Sequence, residues 1–126
     1  MTTEGKRATF LLVYLGKFMD KTVELIPGTL DLLILKAVSL EPLHGYGVLL
    51  RIQQICRGAL RIQQGSLYPA LYKLEAEGLI SSSWGQSENN RRAKYYDLTE
   101  AGRARFLQES QKWTRVVAVM SAALRA

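Results

Sequence analysis

The stretch from Thr99 to the C-terminus most limits what this chain can become. Thr99 is a good helix N-cap, and the residues after it read as one helix of about 28 residues, roughly 42 Å long at 1.5 Å per residue. That is longer than the preceding domain needs. Phe106, Trp113, Val117, Met120 and Leu124 are spaced 7, 4, 3 and 4 apart, with Ser110 filling the widest gap. This is a coiled-coil-like seam, and it predicts that two copies of the chain pair through residues 99-126 as a dimerisation helix.

The residues before it alternate between helical and strand periodicity. Pro27-Gly28-Thr29 reads as a break followed by an N-cap, and Leu30, Leu33, Ile34, Ala37 and Val38 then form a buried helical face to about Leu40. Glu41-Pro42 stops that helix, because proline disfavours helix in the residue before it. His44-Gly45-Tyr46-Gly47 opens a second helix through Val48, Leu49, Ile52 and Ile55 to near Gly58. Residues 59-63 are short and β-capable. A third helix runs from about Gly65 to Glu77. Leu67, Leu71 and Leu74 make its buried stripe, Tyr68, Pro69, Tyr72 and Lys73 face away, and Gly78 stands at C′. Two strands come next, Leu79 to Trp84 and Ala93 to Leu98, joined by the polar connection Gly85 to Arg92. The expected class is mainly α with a small β-hairpin, a winged helix-turn-helix over residues 26-98 with the long helix appended.

Residues 1-25 fit this scheme least. Phe10, Leu11, Val13, Tyr14 and Phe18 suit one face of a short helix that packs on the dimer. Met19-Asp20-Lys21-Thr22 equally reads as a polar N-terminus, with residues 1-18 an upstream extension or an over-called start. Lys6-Arg7 and the apolar run after it resemble a signal peptide superficially. No small-residue cleavage site comes after it, and no apolar run reaches the ~20 residues of a membrane span, so a soluble cytoplasmic chain is expected.

Charge narrows the function. The net charge is +6, which suits a partner rich in phosphate. Its distribution says more than its sum. Pro42 to Leu74 holds no acidic residue but contains Arg51, Arg57, Arg61 and Lys73, and Arg91, Arg92 and Lys94 cluster in the hairpin. A third helix of a winged helix-turn-helix fits the DNA major groove. Gln64 and Ser66 at its start suit bases or phosphates, and Tyr68, Tyr72 and Lys73 lie on its outer face. Arg91, Arg92 and Lys94 would lie beside the duplex, with Asn89 and Asn90 making the tight turn.

Other chemistries find little support. The single cysteine, Cys56, reads as a small buried hydrophobe, and the single histidine, His44, as a helix cap or packed residue. One of each does not build a zinc site, and one histidine leaves little for acid–base catalysis. No Gly-rich phosphate loop, nucleophile set or paired carboxylates stand out, so no enzyme, metal or cofactor is expected. The alternative is a winged-helix ligand-binding or protein-interaction module that does not touch DNA. Such a module has no need of an acid-free segment from Pro42 to Leu74 beside a basic hairpin.

Several motifs in one order carry a resemblance: residues 28-35 (GTLDLLIL), 44-47 (HGYG), 65-71 (GSLYPAL), 91-96 (RRAKYY) and 98-102 (LTEAG). Over about residues 24-124 the chain resembles the PadR family of bacterial regulators, in the smaller subgroup with a single C-terminal helix. The resemblance implies a homodimeric repressor on a pseudo-palindromic operator, released by a small aromatic or drug-like effector. Trp113 falls where drug-sensing relatives carry an aromatic that stacks on flat ligands. An amphipathic seam explains Trp113 without a ligand, which favours dimer packing over stacking.

Overall fold

The computed structural model describes Val23–Glu24 and residues 28–126. The apolar face expected within residues 1-18 lies outside the described residues. The elements are β1 (Val23–Glu24), α1 (Thr29–Leu40), β2 (Leu43–His44), α2 (Gly45–Ile55), β3 (Leu60–Arg61), α3 (Gln64–Ala76), β4 (Ile80–Gln86), β5 (Arg92–Leu98) and α4 (Glu100–Arg125). Helices α1, α2 and α3 pack together, and a three-stranded sheet in the order β2-β5-β4 closes one side. The short β1 and β3 pair in parallel, with Val23 beside Leu60.

The core follows from the apolar stripes. Ile34, Leu35, Ala37 and Val38 of α1, Val48, Leu49 and Ile52 of α2, and Leu67, Ala70, Leu71 and Leu74 of α3 form one buried cluster with Leu79, Ile80 and Tyr96. Burying a Leu or Ile side chain of this kind contributes roughly 1.5–3 kcal/mol before entropy is counted. The buried α3 leucines leave Tyr68 and Tyr72 on the outside of the helix. The expected stop at Gly78 is met in full. Leu79 N–H reaches Leu74 C=O at 3.0 Å, Gly78 N–H reaches Glu75 C=O at 3.0 Å, and Gly78 has φ +76°. This is a Schellman close, which glycine enters without a Cβ penalty.

Two local expectations are corrected, and one strand is added that the sequence did not show. Thr29 is the first helical residue of α1, and the cap is Gly28 at φ 89° with no side-chain cap bond. The strand that joins the hairpin into a sheet is Leu43–His44, pairing Leu43 with Tyr96 and His44 with Tyr95. The β-capable stretch after α2 instead pairs with β1. The hairpin strands are also longer and the turn shorter than expected, since the ladder continues to the Gln86–Arg92 pair. Arg92 therefore belongs to β5 and not to the connection. The turn is Ser87 to Arg91, closed by Ser87 N–H to Arg91 C=O at 2.8 Å, with Asn90 at φ 57°. Asparagine tolerates that left-handed geometry better than most side chains.

α4 starts where Thr99 accepts Gly102 N–H at 3.0 Å. Its first turns lie on α1, and Phe106 packs against the chain's own core with the Lys36 ammonium 5.9 Å from its ring centre. Phe106 is thus partly covered by its own chain. Trp113, Val117, Met120 and Leu124 are exposed beyond it. Among the described residues no helix is long and apolar enough to cross a membrane.

The α4 junction yields a test. A Cβ on Gly102 would sit 1.9 Å from the Leu79 carbonyl oxygen, a backbone atom that does not step aside. Helix propensity alone would favour alanine there by about 1 kcal/mol. Overpacking costs typically about 1–3 kcal/mol and here meets backbone, so it wins. Gly102→Ala is expected to lower unfolding stability by about 2 kcal/mol or more in urea titrations; a gain would show that the junction is looser than described.

Candidate nucleic-acid interface

The period of two along the wing decides which side chains face α3. On β4 these are Ile80, Ser82, Trp84 and Gln86, and on β5 Leu98, Tyr96, Lys94 and Arg92, paired in register. Ile80 and Tyr96 at the base are buried in the core. Farther out the same face leaves the core and becomes one wall of an open groove of about 720 Å³. The opposite wall is built by the start of α2 and the outer face of α3.

Tyr68 and Tyr72, one turn apart on α3, line the groove together with Lys94, Arg92 and Asn89 of the wing. A Cβ on Gly45 would come within 2.7 Å of the Tyr68 ring, so the glycine at the head of α2 permits this close approach. His44 caps α2, its Nδ1 accepting Gly47 N–H at 3.0 Å, and its ring meets the edge of Tyr95 at 5.5 Å. The expected cap role is therefore met. Cys56 is half-buried, and burial raises its thiol pKa, in keeping with a packing role.

The structure does not gather every residue that the sequence nominated. Ser66 is exposed on the first turn of α3 but outside the groove lining, and the side chain of Gln64 lies outside the described residues. Lys73 turns to the other side of α3, where its ammonium pairs with Asp31 of α1 at 2.9 Å. Asn90 lines a smaller hollow on the wing with Trp84 and Arg92. Arg91 is exposed at the end of the turn. Among the described residues neither Arg91 nor Arg92 has an ion-pair partner.

Two residues were missed from sequence. Trp84 is 61% exposed, and the Arg92 guanidinium carbon lies 4.6 Å from its ring centre. Such stacking holds the guanidinium in place without neutralising it. Its signal was available: Trp84 is two residues from Ser82 and four from Ile80, hence on their face. The other is Glu75, which stands at i+7 from Tyr68 and i+3 from Tyr72. It accepts the Ser82 hydroxyl and takes the Lys94 ammonium at 2.9 Å. Lys94 also lies over the rings of Tyr72 and Tyr96 at 5.7 and 5.6 Å.

This cluster moves both pKa values in the expected directions. The bond from Ser82 and then that from Lys94 pull the Glu75 carboxyl below its ordinary range. The bond to Glu75 raises Lys94. Among the described residues there is no group of three or more His, Cys, Asp or Glu placed to hold a metal ion. A convex helix face beside a cationic strand, with an aromatic-floored groove between, can take a phosphate backbone and base edges together.

The family model for the PadR-like transcriptional regulators matches residues 34–108. A PadR-like regulator of Bacillus cereus superposes with a TM-score of 0.68 at 26% identity, covering 79% of this chain and 94% of that one. A PadR family regulator of Clostridium difficile gives 0.67 at 29% identity, covering 77% of this chain and 99% of the other. A transcriptional regulator of Mycobacterium tuberculosis is 37% identical over 57 residues, 45% of this chain and 52% of its own length.

The Glu75 cluster is open to test by pH. A carboxylate with a depressed folded pKa adds stability above its unfolded value, and that contribution disappears as pH falls through the folded pKa. Glu75→Gln is therefore expected to be less stable than the parent at pH 7, with the gap closing on acidification below the ordinary value of 4.5. Parallel thermal melts across that range measure it; a gap that persists unchanged in acid would remove the charge from the account.

Proposed function

This chain belongs to the PadR-like family of transcriptional regulators, and from that premise we propose that it acts as a homodimeric repressor in the cytoplasm. Residues 26-98 bind one half of a pseudo-palindromic operator, and residues 99-126 pair the two copies. The observation that carries this reading is the groove itself: Tyr68 and Tyr72 on one wall face Arg92 on the other, with Arg91 exposed next to Arg92 in the chain but outside the groove lining. Ser66 and Gln64 lead α3 toward base edges, while Arg91 and Arg92 supply phosphate contacts. Asn89 and Asn90 shape the wing turn.

Pairing is supported by the far half of α4, where Trp113, Val117, Met120 and Leu124 are exposed on a helix that the chain's own core does not cover. An apolar seam left in water is destabilising unless a second surface covers it, and an identical helix is self-complementary across a twofold axis. Trp113 on this seam is also the residue placed to stack on a flat aromatic or drug-like effector, whose binding would respace the two halves and release the operator.

Two measurements test the reading. Arg91→Ala with Arg92→Ala is expected to weaken binding to every duplex and to flatten the dependence of log K on log salt by about 1.8 per protomer, at about 0.9 for each phosphate no longer neutralised. An unchanged slope would take the wing off the DNA. Val117→Asp with Met120→Asp is expected to give monomers in sedimentation and to lose operator binding, because charges buried in a helix seam are costly. A variant that still sediments as a dimer would show that the seam lies elsewhere.

A further inference from the structure

We propose that Glu75 is a positioning residue that holds the Lys94 ammonium away from phosphate, so that this lysine adds nothing to duplex binding. The inference rests on the DNA-binding reading above and deepens it. Random-duplex affinity is set by how many cations the protein offers to phosphates, whereas operator affinity adds base contacts. A cation neutralised on the protein is withheld from phosphate in both cases and lowers affinity for every duplex about uniformly.

The groove sorts its cations in this way. Arg51 is paired with Glu41, and Lys94 with Glu75. Arg92 lies over the Trp84 ring, which orients the guanidinium and leaves its charge available. Lys94 is more restrained than an ordinary surface lysine. Its ammonium is 2.9 Å from Glu75 Oε1 and lies over two tyrosine rings, and both Lys94 and Glu75 side chains are about one-third exposed at 31% and 29%. The other Glu75 oxygen takes the Ser82 hydroxyl, so the carboxylate grips both wing strands from α3. Turning Lys94 toward a phosphate would break this set of contacts.

The test is a cycle on the full-length protein: parent, Glu75→Gln, Lys94→Gln and the double variant. Binding to a random-sequence duplex of about 30 base pairs is followed by fluorescence anisotropy from about 50 to 200 mM salt. Glu75→Gln keeps an acceptor for Ser82 while freeing Lys94. It is expected to bind random duplex more tightly and to steepen the salt slope by about 0.9 per protomer on the DNA. Its affinity for a sequence selected from a random pool should rise by about the same factor. Lys94→Gln alone should leave the slope at the parent value, and the double variant should return to it. A Lys94→Gln slope shallower by about 0.9 would mean that the lysine already meets phosphate, and overturns the proposal. So would an unchanged slope in folded Glu75→Gln. Should Glu75→Gln melt before the assay temperature, the Lys94→Gln slope decides alone. A parent protein with no salt-sensitive duplex binding removes the DNA reading itself, an outcome distinct from a parent that binds while the variants do not respond.

Discussion

The architecture turns on the contact between Thr99 and the end of α3. The Thr99 hydroxyl lies 2.7 Å from Gly78 C=O and 3.0 Å from Leu79 C=O, and it accepts Gly102 N–H at 3.0 Å. The Thr99 amide donates to the same Leu79 carbonyl at 3.2 Å. One residue thus ties the close of α3, the root of the wing and the first turn of α4. The fit depends on two glycines for different reasons: Gly78 takes a left-handed φ, and Gly102 lets the α4 backbone touch Leu79. With these bonds made, the direction in which α4 leaves the winged helix is fixed by backbone contact and not by a hinge.

The same tightness governs the groove. Net charge of +6 is a poor guide to what the surface offers, because carboxylates from distant parts of the sequence occupy some of the cations. Lys73 is taken by Asp31 across α1, and Lys94 by Glu75 on α3. Near the wing this leaves Arg91 and Arg92, the second stacked on Trp84. Surface ion pairs contribute little to stability by themselves. Their effect here is to determine which positive charges are presented and which are withheld.

Much of the fold was legible because its signals are local. The Leu67–Leu71–Leu74 stripe, the Gly78 stop and the Thr99 cap each depend on residues within a turn of one another, and each stands as read. The departures come from interactions across elements. Two residues are too few to show alternation, so Leu43–His44 gave no strand signal; only pairing with Tyr96 and Tyr95 makes it one. The wing strands extend past Trp84 and include Arg92 because ladder bonds form between polar residues as readily as between apolar ones. The acid-free stretch ends at Leu74, one position before the carboxylate that captures Lys94, and no linear pattern marks that partnership. Phe106 fits the heptad spacing yet is claimed by the core beneath α1, since the first turns of α4 have a neighbour of their own.

That division within α4 connects the two proposed activities. The helix spans Glu100–Arg125, and its only buried residue is Gly102. The near half is held by the Thr99 junction and by Phe106, whereas the far half exposes apolar side chains including Leu124 at 80%. A long helix without tertiary packing is marginal in water, so the far half gains most of its order from whatever covers it. If a second copy covers it, the near half transmits that helix's direction rigidly to α3 and the wing. A rotation of the two helices about the Trp113 region would then reach the grooves through the Thr99 junction. Spacing between half-sites on DNA is fixed by the helical repeat, so a dimer whose grooves are respaced no longer meets both at once. Rigidity at Thr99 and a coverable seam at Trp113 are the two properties such a release mechanism requires, and they sit on one continuous element.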